Sequence, residues 1–77
     1  MSISETQLLP QEVEAERLIL GNILVNPPAL FEVQGEILAE HFYLEAHRII
    51  YQALQTLQSA QIAIDLLTIK TELLSKE

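Results

Sequence analysis

Residues 44–61, LEAHRIIYQALQTLQSAQ, carry the clearest periodic signal in the chain. On a helical projection its small and aliphatic residues fall within an arc of about 140°. They are Ala46, Ile49, Ile50, Ala53, Leu54, Leu57 and Ala60. The opposite face carries Arg48 and several glutamines, with Tyr51 among them as a large ring outside the apolar arc. The pattern predicts an amphipathic helix at 44–61 that packs against a core through its aliphatic face.

Three further helices are predicted around this segment. Residues 11–25 begin with glutamates, which the helix dipole favours in the first turns, and continue into leucine and isoleucine. The two prolines that follow Asn26 end that helix and begin a second at 27–38, which Gly35 weakens. Asp65 is placed to cap a fourth helix at 65–76. With a flexible leader at 1–9 and no alternating strand pattern, the sequence predicts an all-α bundle of about four helices.

Composition and charge exclude several classes of protein. The chain has 77 residues, enough for a single small core, and it contains no cysteine for disulfides or thiolate sites. Four lysines and arginines against eleven aspartates and glutamates give a net charge of −7, which repels phosphate backbones. No apolar run approaches the roughly 18 residues of a membrane span. We therefore expect a cytoplasmic chain that binds neither a membrane nor nucleic acid directly.

Catalytic and metal chemistry finds little support in the sequence. A phosphate-binding loop needs closely spaced glycines, whereas this chain has only Gly21 and Gly35. A metal site would have to combine His41 and His47 with Glu40 or Glu45, but the two histidines are six residues apart and do not share a helix face. A packing role for His47 is the simpler interpretation. The sequence predicts no catalytic, cofactor-binding or metal-binding residue.

A pair of like charges on the first helix needs a neighbour. Glu12 and Glu16 are four residues apart, a spacing that is mildly unfavourable unless a cation lies close by. Arg17, Arg48 or a basic surface of another protein are the candidates for that cation.

Apolar and aromatic residues exceed what four short helices can bury. Phe31, Phe42, Tyr43 and Tyr51 cannot all be central in so thin a core, so part of this surface is expected to meet another chain. On the third helix we predict that the polar face contacts the partner. Its residues are Arg48, Tyr51, Gln52 and Gln55.

Three segments resemble the N-terminal domain of bacterial DnaB-type replicative DNA helicases. They are QEVEAERLILGNIL at 11–24, HFYLEAHRIIYQAL at 41–54 and IDLLTIKTEL at 64–73. The resemblance covers nearly all of residues 10–77 and implies a helical, non-catalytic domain in the collar of a ring hexamer. It also implies that the other helicase subunits, primase and a helicase loader are partners. The family's motor, with its ATP and Mg²⁺, lies in a separate domain, so no catalytic residue or cofactor is carried over.

The resemblance also assigns structural roles. It implies that Phe42, Tyr43 and His47 lock the start of the third helix against the first, and that Asp65 caps the fourth. The chain departs from the family pattern in the connector before Asp65, where Gln61 and Ala63 replace the usual glycine and proline. The turn is therefore expected to be less fixed, with the third helix extended. Since the family's domain continues into a helical hairpin, residues 10–77 are expected to be a truncated part of it.

Two other functions compete with this interpretation. A free-standing adaptor or regulatory domain would share the helical pattern without belonging to a helicase. A helix-turn-helix built from the third and fourth helices would need basic residues for phosphates, and the fourth helix offers only Lys70 and Lys76. Charge therefore disfavours DNA binding, and the helicase interpretation is preferred.

Overall fold

The computed structural model describes residues 10–75, which contain α-helices, one 3₁₀ turn and no strand among these residues. The elements are α1 (Pro10–Val25), α2 (Ala29–Val33), the 3₁₀ turn (Ala39–His41), α3 (Glu45–Ser59) and α4 (Leu66–Ser75). This architecture confirms the predicted all-α fold. The predicted leader at 1–9 and the last residues of the predicted fourth helix lie outside the described residues.

The core lies around α3, which packs against α1, α4 and the 3₁₀ turn, and Leu30 of α2 belongs to the same cluster. Each helix contributes at least one buried side chain, and α3 contributes more than any other element. The buried apolar residues are Leu20, Ile23, Leu30, Phe42, Tyr51, Ala53, Leu54, Leu57 and Ile69. Because α3 contacts α1, α4 and the 3₁₀ turn, it is the central element of the fold.

The second helix is shorter than the predicted 27–38. It ends at Val33, and Gln34 to Glu36 form a turn before Leu38 adopts an extended conformation. Gly35 lacks the helix propensity to continue the segment. In addition, the Leu38 N–H donates to Nδ1 of His41 at 3.0 Å, which holds Leu38 in the extended conformation that leads into the 3₁₀ turn.

The buried face of α3 differs from the predicted aliphatic arc. Ala46, Ile49 and Ala60 are exposed, whereas His47 and Tyr51 are buried. The buried face is therefore rotated by roughly 60° toward the two ring-bearing residues. A hydrophobicity count treats Tyr and His as polar, but both rings are apolar over most of their surface and need only one partner for each polar atom.

The third helix ends at Ser59 and does not extend to residue 61 as predicted. Gln61 has a left-handed backbone with φ 61°, and its N–H donates to the Gln58 carbonyl at 3.0 Å. The Ile62 N–H donates to the Leu57 carbonyl at 2.9 Å. These two bonds form a Schellman motif, in which the left-handed position normally holds glycine. The motif stops the helix although the family's glycine is absent.

Glycine at this position is expected to stabilise the domain. A left-handed conformation costs a residue with a Cβ about 1 kcal/mol, so Gln61→Gly is expected to raise the free energy of unfolding by about that amount. Urea titration followed by circular dichroism measures the change. Ser59→Gly, two residues earlier and still inside α3, is the matched control and is expected to lower stability by up to about 1 kcal/mol. A loss of stability in Gln61→Gly would contradict the assignment.

Candidate interaction surface

Glu16 of α1 caps the N-terminus of α3. Its Oε2 accepts the Tyr43 backbone N–H at 2.5 Å, and its Oε1 lies 2.8 Å from Nδ1 of His47 in the first turn of α3. Leu44, at the N-cap position of α3, makes no side-chain cap, and the Glu16 carboxylate instead accepts the backbone N–H groups of Tyr43 and Leu44 directly before the helix. An ionised carboxylate only accepts, so the proton between Glu16 and His47 is on the histidine Nδ1.

The electrostatic surroundings of Glu16 keep it ionised. Burial opposes ionisation, but hydrogen bonds from the Tyr43 N–H, His47 and the Leu44 N–H outweigh it, and the charge of His47 adds to them. The pKa of Glu16 is therefore lowered from its usual 4.5. This neighbourhood replaces the arginine that the sequence suggested, because Arg17 pairs instead with Glu14 at 2.7 Å on the exposed side of α1.

The predicted anchors at the start of α3 take different positions. Phe42 and His47 are buried, and their rings meet edge-on with centroids 6.4 Å apart. Phe42 also lies against the ring of Tyr51, at 4.9 Å between centroids. The Tyr43 side chain is 57% exposed, so this residue anchors the junction through its backbone N–H and not through its ring.

Asp65 lies at the N-terminus of α4 and forms a reciprocal pair with Thr68. Its Oδ1 accepts the Thr68 N–H at 2.9 Å, and the Thr68 hydroxyl oxygen accepts the Asp65 N–H at 2.9 Å. The hydroxyl itself donates to the Ala63 carbonyl at 2.8 Å, which ties the connector to the helix. The arrangement corresponds to a capping box.

The predicted partner face of α3 is not a continuous exposed surface, and the assignment of Tyr51 to it is wrong. Tyr51 is fully buried, and its hydroxyl donates to the Ile37 carbonyl at 2.7 Å. Arg48 is half-buried and donates to the Phe42 carbonyl at 3.0 Å. Gln55 is half-buried beside Gln34. Gln52 is exposed. The exposed part of the predicted face is therefore small.

The exposed apolar side chains lie elsewhere. Leu18 and Val25 are one heptad apart on α1, and Leu67 and Leu74 repeat that spacing on α4, next to the exposed Leu66. Residues seven apart lie on the same face of a helix, so each helix presents one such pair of apolar side chains to solvent, and this pair is called its stripe. Sequence periodicity identified the aliphatic character of both helices but not which side of each would stay uncovered.

An open groove of about 470 Å³ lies between the start of α2 and the connector from α3 to α4. Its walls are apolar except for two glutamine side chains. The residues that line it are Pro27, Pro28, Phe31, Gln58, Gln61, Ile62, Ala63 and Ile64. Phe31 of α2 and Ile62 of the connector are 67% and 47% exposed. The sequence indicated that Phe31, Phe42, Tyr43 and Tyr51 could not all be central, but only the tertiary structure brings Phe31 and Ile62 to one groove.

The described residues contain no group of three or more histidine, cysteine, aspartate or glutamate side chains that could hold a metal ion. His41 and His47 serve different local contacts, since Nδ1 of His41 accepts the Leu38 N–H and Nδ1 of His47 faces Glu16. Within residues 10–75, no helix has the length and apolar character needed to cross a bilayer.

The all-α fold, the capped helix junctions and the exposed apolar side chains on α1 and α4 define a small helical domain. The family model described as the DnaB-like helicase N terminal domain matches residues 8–77. The chain belongs to this family.

Relatives with curated names agree with this assignment. The chain is 42% identical over 71 residues to the replicative DNA helicase DnaB of Nostoc sp., and the match covers 92% of this chain and 8% of the relative. It is 38% identical to that of Synechocystis sp., covering 83% and 7%, and 34% identical to that of Geobacillus stearothermophilus, covering 88% and 15%. The chain thus spans only a small part of each relative. No solved structure gives a significant match.

Proposed function

We propose that the chain is a non-catalytic interaction and oligomerisation domain of a replicative DNA helicase. It forms part of the collar of a helicase hexamer and docks primase or a helicase loader. The parent protein unwinds duplex DNA at the replication fork in the cytoplasm, with ATP and Mg²⁺ bound in a separate motor domain. The family match over residues 8–77 is the observation that carries this proposal.

The uncovered stripes of α1 and α4 support a role in protein contact. Leu67 and Leu74 on α4 and Leu18 and Val25 on α1 are exposed. Large apolar side chains exposed together on one face are typical of protein interfaces. The stripes offer two faces, so one can meet a neighbouring subunit while the other meets a second protein.

The charge distribution favours protein partners over DNA. Among residues 10–75 the lysines and arginines are Arg17, Arg48 and Lys70. Arg17 is paired with Glu14, and Arg48 donates to a carbonyl of its own chain. A phosphate backbone needs a stripe of basic side chains, and the described surface supplies none.

The proposal is tested by titrating the chain with the C-terminal domain of primase and by following the hexamer formed by the parent helicase. We expect the original chain to bind primase saturably. The double variant Leu67→Ser and Leu74→Ser, which replaces the α4 stripe, is expected to lose either this binding or the hexamer. Thr71→Ser, an exposed change on the same helix, is the matched control and is expected to leave both readouts unchanged. Equal binding by an unrelated acidic helical bundle, together with an unaffected hexamer, would contradict the proposal.

A further inference from the structure

We infer that the groove between α2 and the α3–α4 connector binds an amphipathic peptide segment of a partner protein, with an apolar anchor flanked by lysine or arginine. The inference rests on the proposed function, because it specifies the composition of the segment that one partner presents and the site where that segment binds. Neither α1's nor α4's stripe is part of this groove. Its lining comes from α2, the end of α3 and the connector.

The apolar part of the argument comes from the lining. Phe31 of α2 and Ile62 of the connector both line the groove with much of their surface in solvent. The other apolar lining residues are Pro27, Pro28, Ala63 and Ile64. An apolar anchor placed between Phe31 and Ile62 would remove both from water, which is the main source of binding free energy at such sites. The groove's volume lies within the range of concave binding sites that accept a side chain or small ligand.

The charged residues near the groove determine which residues the ligand carries beside its apolar anchor. No charged side chain lines the groove itself. The segments that supply the lining, 25–36 and 56–66, carry three charged side chains, Glu32, Glu36 and Asp65, and all three are acidic. The C-terminus of α3, which is the negative end of its helix dipole, also contributes to the groove, and no basic residue lies in its last turn. A ligand with lysine or arginine beside its anchor is attracted to this region, whereas an acidic one is repelled.

The glutamines at the rim add polar contacts without charge. Gln58 accepts a hydrogen bond from the side-chain amide of Gln34 at 2.8 Å, which holds it in place at the edge of the groove. Gln61 is held on the other side by the Schellman motif. Amide side chains of this kind pair with the backbone of a bound peptide and tolerate many ligand sequences. A second copy of this acidic chain is a poor occupant, because both surfaces would carry the same sign of charge.

The experiment uses the chain itself and three synthetic peptides of equal length. The first has a Leu-Phe-Leu centre flanked by lysines, the second has the same centre flanked by glutamates, and the third has a serine centre flanked by lysines. Fluorescence anisotropy measures affinity, and amide chemical shifts locate the bound peptide. We expect only the first peptide to bind, with shifts confined to 27–34 and 57–65.

Phe31→Ser and Ile62→Ser are each expected to weaken binding of the first peptide by roughly tenfold or more. Ile49→Ser, at an exposed isoleucine on α3 that belongs neither to the groove nor to the stripes of α1 and α4, is the matched control and is expected to bind as tightly as the original chain. Circular dichroism of each variant separates a lost contact from a lost fold.

The results that overturn the inference are distinct from those that overturn the proposed function. Absent binding, equal binding of the glutamate peptide, or shifts centred on α1 or α4 would each exclude this groove. Concentration-dependent shifts of the groove amides without peptide would assign it to a second copy. If the helicase forms a functional hexamer but the groove binds no peptide, only this inference is rejected. If neither peptide binding nor the hexamer is observed, the proposed function is rejected as well.

Discussion

Tyr51→Ala is expected to lower the free energy of unfolding by about 3–5 kcal/mol, the cost of removing a large buried ring. A domain of 77 residues has a total stability of only about 4–11 kcal/mol, so the variant is expected to lose a large share of its stability. The ring is fully buried and packs against Phe42. Urea denaturation followed by circular dichroism measures the loss. Gln52→Ala, at the next position but exposed, is the control and is expected to change stability by less than about 0.5 kcal/mol.

Tyr51→Phe separates the hydroxyl from the ring. It keeps the packing but leaves the Ile37 carbonyl without its donor, so we expect a loss of about 1–2 kcal/mol. Burial raises the pKa of Tyr51 from its usual 10.0. The folded state therefore holds the proton more tightly, and this contribution is complete below pH 10 and lost as the pH rises through the raised pKa. A phenylalanine variant with the same alkaline decline as the original chain would contradict this assignment.

The large stability loss expected for Tyr51→Ala affects how a binding defect in that variant is interpreted. The sequence placed Tyr51 on the exposed face because helical periodicity separates apolar from polar residue types, and tyrosine has both characters. The buried position depends on Ile37, which supplies a carbonyl for the hydroxyl from 14 residues away. No count over α3 alone contains that information. Loss of partner binding in Tyr51→Ala would therefore report unfolding and not a missing contact.

Local signals predicted much of the fold. The capping pair of Asp65 and Thr68 is three residues apart, so the start of α4 was visible in the sequence, and the two prolines gave the end of α1. Gly35 indicated that the second helix is weakened, but it did not predict the residue at which the helix ends. The end of α3 was missed because Gln61 adopts a left-handed conformation that its residue type disfavours.

The candidate site was less predictable because it depends on long-range contacts. The sequence predicted that Glu16 needs a positive neighbour and suggested arginines. In the structure its partners are the Tyr43 backbone N–H, 27 residues away, and the His47 side chain, 31 residues away. The groove likewise joins Phe31 to Ile62 from separate elements. Residue type gave the chemistry of each part, and only tertiary packing decided which parts meet.

Glu16→Gln is expected to lower the free energy of unfolding by about 2 kcal/mol at neutral pH, the range for hydrogen bonds to a charged group. The Glu16 carboxylate accepts from both the Tyr43 N–H and His47, and its side chain is only 13% exposed. Glutamine has one oxygen, so its amide group would face one of these donors and leave it unpaired. Glu12→Gln, an exposed change of the same charge one turn earlier, is the control and is expected to alter stability by less than about 0.5 kcal/mol.

The acid limb of the stability curve provides the second test of Glu16. Its pKa is lowered in the folded state, so the stabilisation is fully present above the unfolded value of 4.5 and is lost as the pH falls through the lowered pKa. The difference in unfolding free energy between the original chain and Glu16→Gln is therefore expected to be larger at neutral pH than in acidic solution, where it shrinks as the pH falls through the lowered pKa of Glu16. Urea titrations at a series of pH values measure it. A difference that persists unchanged in acid would show that shape, and not the charge that caps α3, makes Glu16 important.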